Sequence, residues 1–167
     1  MTINTFSEDL KPVEGLVPQI GAAGVLTSDY VSVKNLHKLY AIIHYNQGDA
    51  TDVTWRVMRA TAVAPTGAVV IANAVEIWSN LDCVTSDLLV RRAAAINYAS
   101  GVGLTHKLII FEIDPSTLGQ TALGVDYDCV AVGSTGAIAA TSTVSILLIG
   151  VPRYPAPAAM QPSIIID

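Results

Sequence analysis

Short runs in which apolar residues alternate with polar ones, each cut off by glycine, proline, asparagine or aspartate, recur along this chain. The clearest is Lys107 to Ile113, where Ile109, Phe111 and Ile113 share one face and Leu108 and Ile110 the other. A period of two is the signature of a β-strand, and apolar residues on both faces predict a central one. Val53, Trp55 and Val57 likewise alternate with Asp52, Thr54, Arg56 and Met58. This pattern predicts a half-buried strand with Trp55 in the core. Leu39 to Tyr45 and Tyr30 to Lys34 alternate in the same way, and Tyr127 to Val132 and Ile138 to Ile149 complete the set.

Punctuation between the runs sets the architecture. Asn46-Gln47-Gly48-Asp49 and Gly133-Ser134-Thr135-Gly136 supply turn residues. Pro65-Thr66-Gly67 predicts a hairpin between 52–63 and 68–78, whose second arm is interrupted at Asn73. Asp114-Pro115 ends the central strand, with Asp placed to cap and Pro placed to open a short helical turn. Residues 86–99 fit a short helix, from the spacing of Leu88, Leu89, Arg92, Ala95 and Ile96, or a strand crossing equally well. Roughly seven to nine short strands separated by turns predict an all-β, antiparallel, jelly-roll-like sandwich over residues 16–151. Residues 1–15 are expected to form an N-terminal arm. Residues 152–167, with Pro152, Pro155, Pro157 and Pro162, are expected to form an extended C-terminal tail, since proline lacks the amide donor of a central strand.

Charge bounds the function. Asp, Glu, Lys and Arg make up 14% of the 167 residues, against 51% hydrophobic. An average soluble chain carries about 25% charged residues. Too few charges to cover a monomer imply that other subunits cover some apolar surface, so a homo-oligomer, dimer or trimer, is expected. Net charge is −5 and Arg91-Arg92 is the one adjacent basic pair, which argues against nucleic acid and against an anionic membrane surface. The N-terminus lacks the basic start and apolar run of a signal peptide.

The residues of chemistry are scattered. His37, His44 and His106 have no metal-pair spacing, and no Gly-x-Ser-x-Gly elbow or phosphate-binding glycine loop occurs. Asp126 and Asp128 flank Tyr127 without forming a calcium loop. Cys83 and Cys129 read as two small buried hydrophobes, with a disulfide as the alternative. No catalytic residue, cofactor or metal site is expected. The tail holds the candidate interface residues: Arg153 and Tyr154 as anchors, and Ile164, Ile165 and Ile166 as an apolar cluster suited to burial against a partner.

Several segments are familiar as a set. They are Phe111-Glu112-Ile113-Asp114 with Leu118, then Tyr127-Asp128-Cys129-Val130, then Pro152-Arg153-Tyr154 followed by Pro162-Ser163-Ile164 and Asp167, and the stretch from Gly24 through Asp29-Tyr30-Val31-Ser32 and Lys34-Asn35 to Leu36. Together they resemble small structural proteins of tailed bacteriophages, of the capsid decoration, or cement, type. Residues 46–103 carry no part of that resemblance. The resemblance implies a virion protein made in the host cytoplasm and placed on the capsid surface, with the major capsid protein as partner and no enzymatic residues. The alternatives are a tail or head–tail connector component, and a carbohydrate-binding sandwich that stacks Trp55 or Trp78 on a sugar.

Overall fold

The computed structural model describes residues 6–22, 24–154 and 163–165. After a single helical turn at Phe6–Asp9 come eleven strands. They are β1 (Lys11–Ile20), β2 (Val31–Ser32), β3 (Leu36–Asn46), β4 (Thr54–Ala60), β5 (Val69–Val70), β6 (Val75–Asn80), β7 (Val90–Ala95), β8 (Asn97–Ala99), β9 (His106–Ile113), β10 (Cys129–Ser134) and β11 (Thr143–Pro152). They form two antiparallel sheets, one in the order β1-β11-β3-β9-β6-β7, the other in the order β2-β10-β4-β5 with β8 also on β4.

Without β6–β8 the remaining eight strands pair in a nested way: β1 with β11, β2 with β10, β3 with β9, β4 with β5. This is the strand order of a jelly roll, in which one long antiparallel ribbon is wrapped into two facing sheets. The all-β sandwich expected from the alternation is therefore present. The segment β6–β8 is an insertion that widens the first sheet by two strands.

Alternation explains the core. Ile109, Phe111 and Ile113 point inward with Leu39, Ala41, Ile43 and Tyr45 of β3 and Val144, Ile146 and Leu148 of β11. Trp55 and Val57 of β4 and Val130 and Val132 of β10 meet them from the other sheet. Asp114 caps the 3-10 turn Pro115–Thr117 by accepting from the Ser116 amide, as its position before proline predicts. At the opposite end of the sandwich Gly48 lies so close to the next loop that a Cβ would fall 2.1 Å from the Thr141 carbonyl oxygen.

Three expectations change, and the open reading of residues 86–99 resolves. The 52–63/68–78 hairpin exists only as the two-residue pairing of β5 with β4. Past Ala72-Asn73-Ala74 the chain leaves for the other sheet, where β6 joins β9 and β7. Alternation reports which face of a strand is buried but not which sheet it joins. Residues 86–99 form a strand crossing, β7 on one sheet and β8 on the other. The arm expected over 1–15 is strand from Lys11 onward, because β1 accepts Pro12 and Pro18 as an edge strand with register shifts on both sides of Leu16. In the tail, β11 reaches Pro152, and Ile164 lies in this chain's own core at 4% exposure.

Candidate interaction surface

Inward-facing residues of the six-stranded sheet are committed to the core, so the alternate residues must face outward. In β4 of the other sheet the outward positions include Thr54 and Arg56, as expected of a wet face. In the six-stranded sheet they do not. Register places Glu14 opposite Leu147, Leu147 opposite Ile42, Ile42 opposite Ile110, Ile110 opposite Trp78, and Trp78 opposite Arg91. One row thus crosses all six strands, four large apolar side chains bounded by an acid on β1 and a base on β7. Neighbouring rows add Ile149 beside Tyr40 and His44 beside Leu108.

These side chains shield one another laterally, and Ile42, Ile110 and Trp78 are half-buried, while Leu147 is 41% exposed. Among the described residues no element is layered over them. An antiparallel sheet with one face on the core usually carries polar residues on the other. An apolar band across the free face is the composition of a contact surface instead.

Two acids beside the band are paired within the chain. Glu76 and Glu112 sit opposite each other on β6 and β9, an arrangement that alone would be repulsive. Lys38 Nζ donates to Glu112 Oε2 at 3.0 Å, and Arg91 donates through Nη2 and Nε to Glu76 Oε2 at 2.7 and 2.9 Å. The hydrogen bond to Glu112 raises the pKa of Lys38 above its ordinary value. Beside it the Ser116 hydroxyl and amide, both donating to Asp114, hold that carboxyl below the usual range.

The candidate interface residues divide. Arg153 and Tyr154 line a hollow with His37, Lys38, Tyr40, Asp114 and Val151, continuous with the outer face of the sheet. Arg153 is fixed there, its amide donating to the Asn35 carbonyl and its Nε to the Leu36 carbonyl at 2.9 Å, while Tyr154 is 78% exposed. Ile164 does not belong to the surface: it packs into the core cluster, and its carbonyl accepts from the Ser32 amide. Ile165 is 50% exposed, and Ile166 lies outside the described residues. The four apolar residues of the central row went unrecognised as a set in the sequence. Their signal was the second apolar face of β9, which marks a central strand and equally an uncovered sheet.

Other candidate chemistry resolves into structure. Trp55 is fully buried and cannot stack on a sugar. Asp128 pairs with Lys34 at 3.2 Å, and Asp126 accepts from Gln120. Cys129 is buried, Cys83 is exposed, and the two form no disulfide with each other. Lys107, in phase with the core residues of β9, is 1% exposed and donates to Gln47 Oε1, the Ser100 carbonyl and the Gly101 carbonyl. Burial lowers its pKa from the ordinary 10.5. With every donor engaged by the loops around it, it ties the end of the sandwich together.

No family model matches the chain, and no curated protein matches it. Among solved structures, the crystal structure of the SPBc2 prophage-derived protein YomS is similar at a TM-score of 0.44 and 12% identity, covering 86% of this chain and 93% of that one.

Proposed function

We propose that this chain is a structural virion protein that decorates or cements a bacteriophage capsid, acting by adhesion to neighbouring protein subunits and not by catalysis. The observation that supports adhesion is the apolar row Leu147–Ile42–Ile110–Trp78 on a sheet face that no described element covers, with the ion pairs Lys38–Glu112 and Arg91–Glu76 beside it. A band of that make-up matches the apolar centre and polar rim of protein–protein contacts. The phage setting comes from the segments around Asp29-Tyr30, Glu112-Ile113-Asp114, Tyr127-Asp128-Cys129 and Pro152-Arg153-Tyr154, all four of which contribute residues to two hollows of the surface. Its partner in this reading is the major capsid protein.

Mass spectrometry of particles stripped stepwise of tails and outer proteins tests it. The expected result is this chain on tail-free heads, at a fixed ratio to the major capsid protein. Presence only in the tail fraction assigns it to a tail or connector, and absence from particles overturns the virion role.

A further inference from the structure

The free face of the six-stranded sheet is arranged to pair with itself. Its central row reads Glu14, Leu147, Ile42, Ile110, Trp78, Arg91 from one sheet edge to the other. We infer that a second copy of this chain covers this face, in a two-fold sandwich of sheet on sheet whose axis lies between the sheets and parallel to the strands, over the β3–β9 junction.

The charge pattern selects both the occupant and the axis. A two-fold axis parallel to the strands reverses the row, so that β1 lies over β7 of the second copy, β11 over β6 and β3 over β9. Glu14 then faces Arg91 of the second copy, Leu147 faces Trp78, and Ile42 faces Ile110. Each contact occurs twice, as an isologous interface requires. An axis across the strands would set Glu14 on Glu14 and Arg91 on Arg91, which like-charge repulsion opposes. Six strands span about 24 Å at the usual spacing, and facing sheets pack about 10 Å apart with interdigitating side chains. Trp78 and the three aliphatic residues provide that filling. The acids of the adjacent row Ile149–Tyr40–Glu112–Glu76 do not stand against the pairing, since Lys38 neutralises Glu112, and Arg91, bonded to Glu76 in its own copy, is shared with Glu14 of the second.

The free edges fit a stack of faces better than an edge-to-edge ribbon on the β1 side. There Pro12, Pro18 and the register shifts interrupt any further ladder. Here the apolar row that supports adhesion is taken up by a second copy, which leaves capsid binding to other surfaces of the dimer; the pairing is tested on the free chain, so it fails or stands separately from the proposed function.

Sedimentation velocity on the full chain, from about 1 to 100 µM, with circular dichroism as the control for folding, provides the test. A dimer is expected. Ile42→Lys should give a folded monomer. Glu14→Arg and Arg91→Glu should each weaken the dimer about tenfold or more, because each removes two symmetric pairs and creates repulsion. The double variant Glu14→Arg/Arg91→Glu should recover most of the loss, and it does so only if these residues face each other across copies. A wild-type monomer at the highest concentration overturns the inference. So does an oligomer indifferent to Ile42→Lys, or one in which the double charge swap is no better than the single ones.

Discussion

Tyr45 and Trp55 meet edge to face between the two sheets, their ring centroids 5.5 Å apart and their planes at 72°. Tyr45 comes from β3 and Trp55 from β4, strands joined by the Gln47–Val53 loop, and both rings are fully buried. The contact sits where the first sheet hands over to the second, and a T-shaped pair adds to the burial of both rings.

Replacing Trp55 by alanine is therefore expected to cost about 3–5 kcal/mol of stability. Trp55→Phe should cost clearly less, because it keeps a ring against Tyr45 and removes the buried indole N–H, which has no acceptor among the described residues. Urea midpoints of the three proteins check the order. A midpoint for Trp55→Ala equal to that of the wild type would contradict the packing.

Lys107 gives a pH dependence of known sign. Burial lowers its folded pKa below the ordinary 10.5, so between the folded value and 10.5 the unfolded chain holds the extra proton. Stability attributable to this group must rise as pH climbs through that window, and the penalty for burying the ammonium is fully present below it. Lys107→Met strands the oxygens of Gln47, Ser100 and Gly101 and is expected to cost about 2 kcal/mol at neutral pH. The stability difference between wild type and Lys107→Met should widen from pH 7 toward pH 10 in urea titrations; a difference that narrows would reverse the assignment.

The tail is a folding element at Ile164. Deleting residues 156–167 removes a buried isoleucine and the acceptor of the Ser32 amide, so the truncated chain is expected to lose about 2–5 kcal/mol. Ile164→Ala should reproduce much of that loss, and Ile165→Ala little of it. Thermal midpoints of the three variants separate the contributions. An undiminished midpoint in the truncation would return Ile164 to the role of a partner contact.

Arg59 holds the loop that follows β9. Its guanidinium stacks on Tyr127 at 4.2 Å from the ring centroid, and its Nη1 donates to the Leu118 carbonyl. Arg59→Ala should cost about 1–2 kcal/mol and speed amide exchange in residues 118–127 before it affects β9. Arg59→Lys should rescue only part, since an ammonium cannot stack and donate in the same planar way. Exchange that accelerates uniformly over the chain would show that the contact is not local.

The strands with strict alternation were legible because one physical cause, burial of one face, fixes their periodicity. Lys107 to Ile113 and the Trp55 strand are where the pattern places them, and Asp114-Pro115 caps the turn that its chemistry calls for. Three consecutive isoleucines at 164–166 announced an apolar need but not its location. Only the tertiary fold sets the amide of Ser32 where the Ile164 carbonyl can reach it. Lys107 carried a readable signal, being in phase with Ile109, Phe111 and Ile113, but a lysine opening a strand is ordinarily solvated. The row across the free face could not be read from one strand at a time. Leu147, Ile42, Ile110 and Trp78 come from four strands whose neighbourhood is a property of topology.

The nested order of the jelly roll also sets a timetable. When β3 leaves the ribosome, neither of the strands that will flank it, β9 and β11, has yet been made, and β1 has no partner until β11 emerges. Of the ladders that close the two sheets, β4 with β5 and β6 with β7 can form early, because their partners follow closely in sequence. The long strands must wait for contacts of large sequence separation, which makes folding slow and leaves apolar segments open to wrong partners meanwhile. Synthesis of this chain in quantity should therefore depend on chaperone capacity more than its modest size suggests.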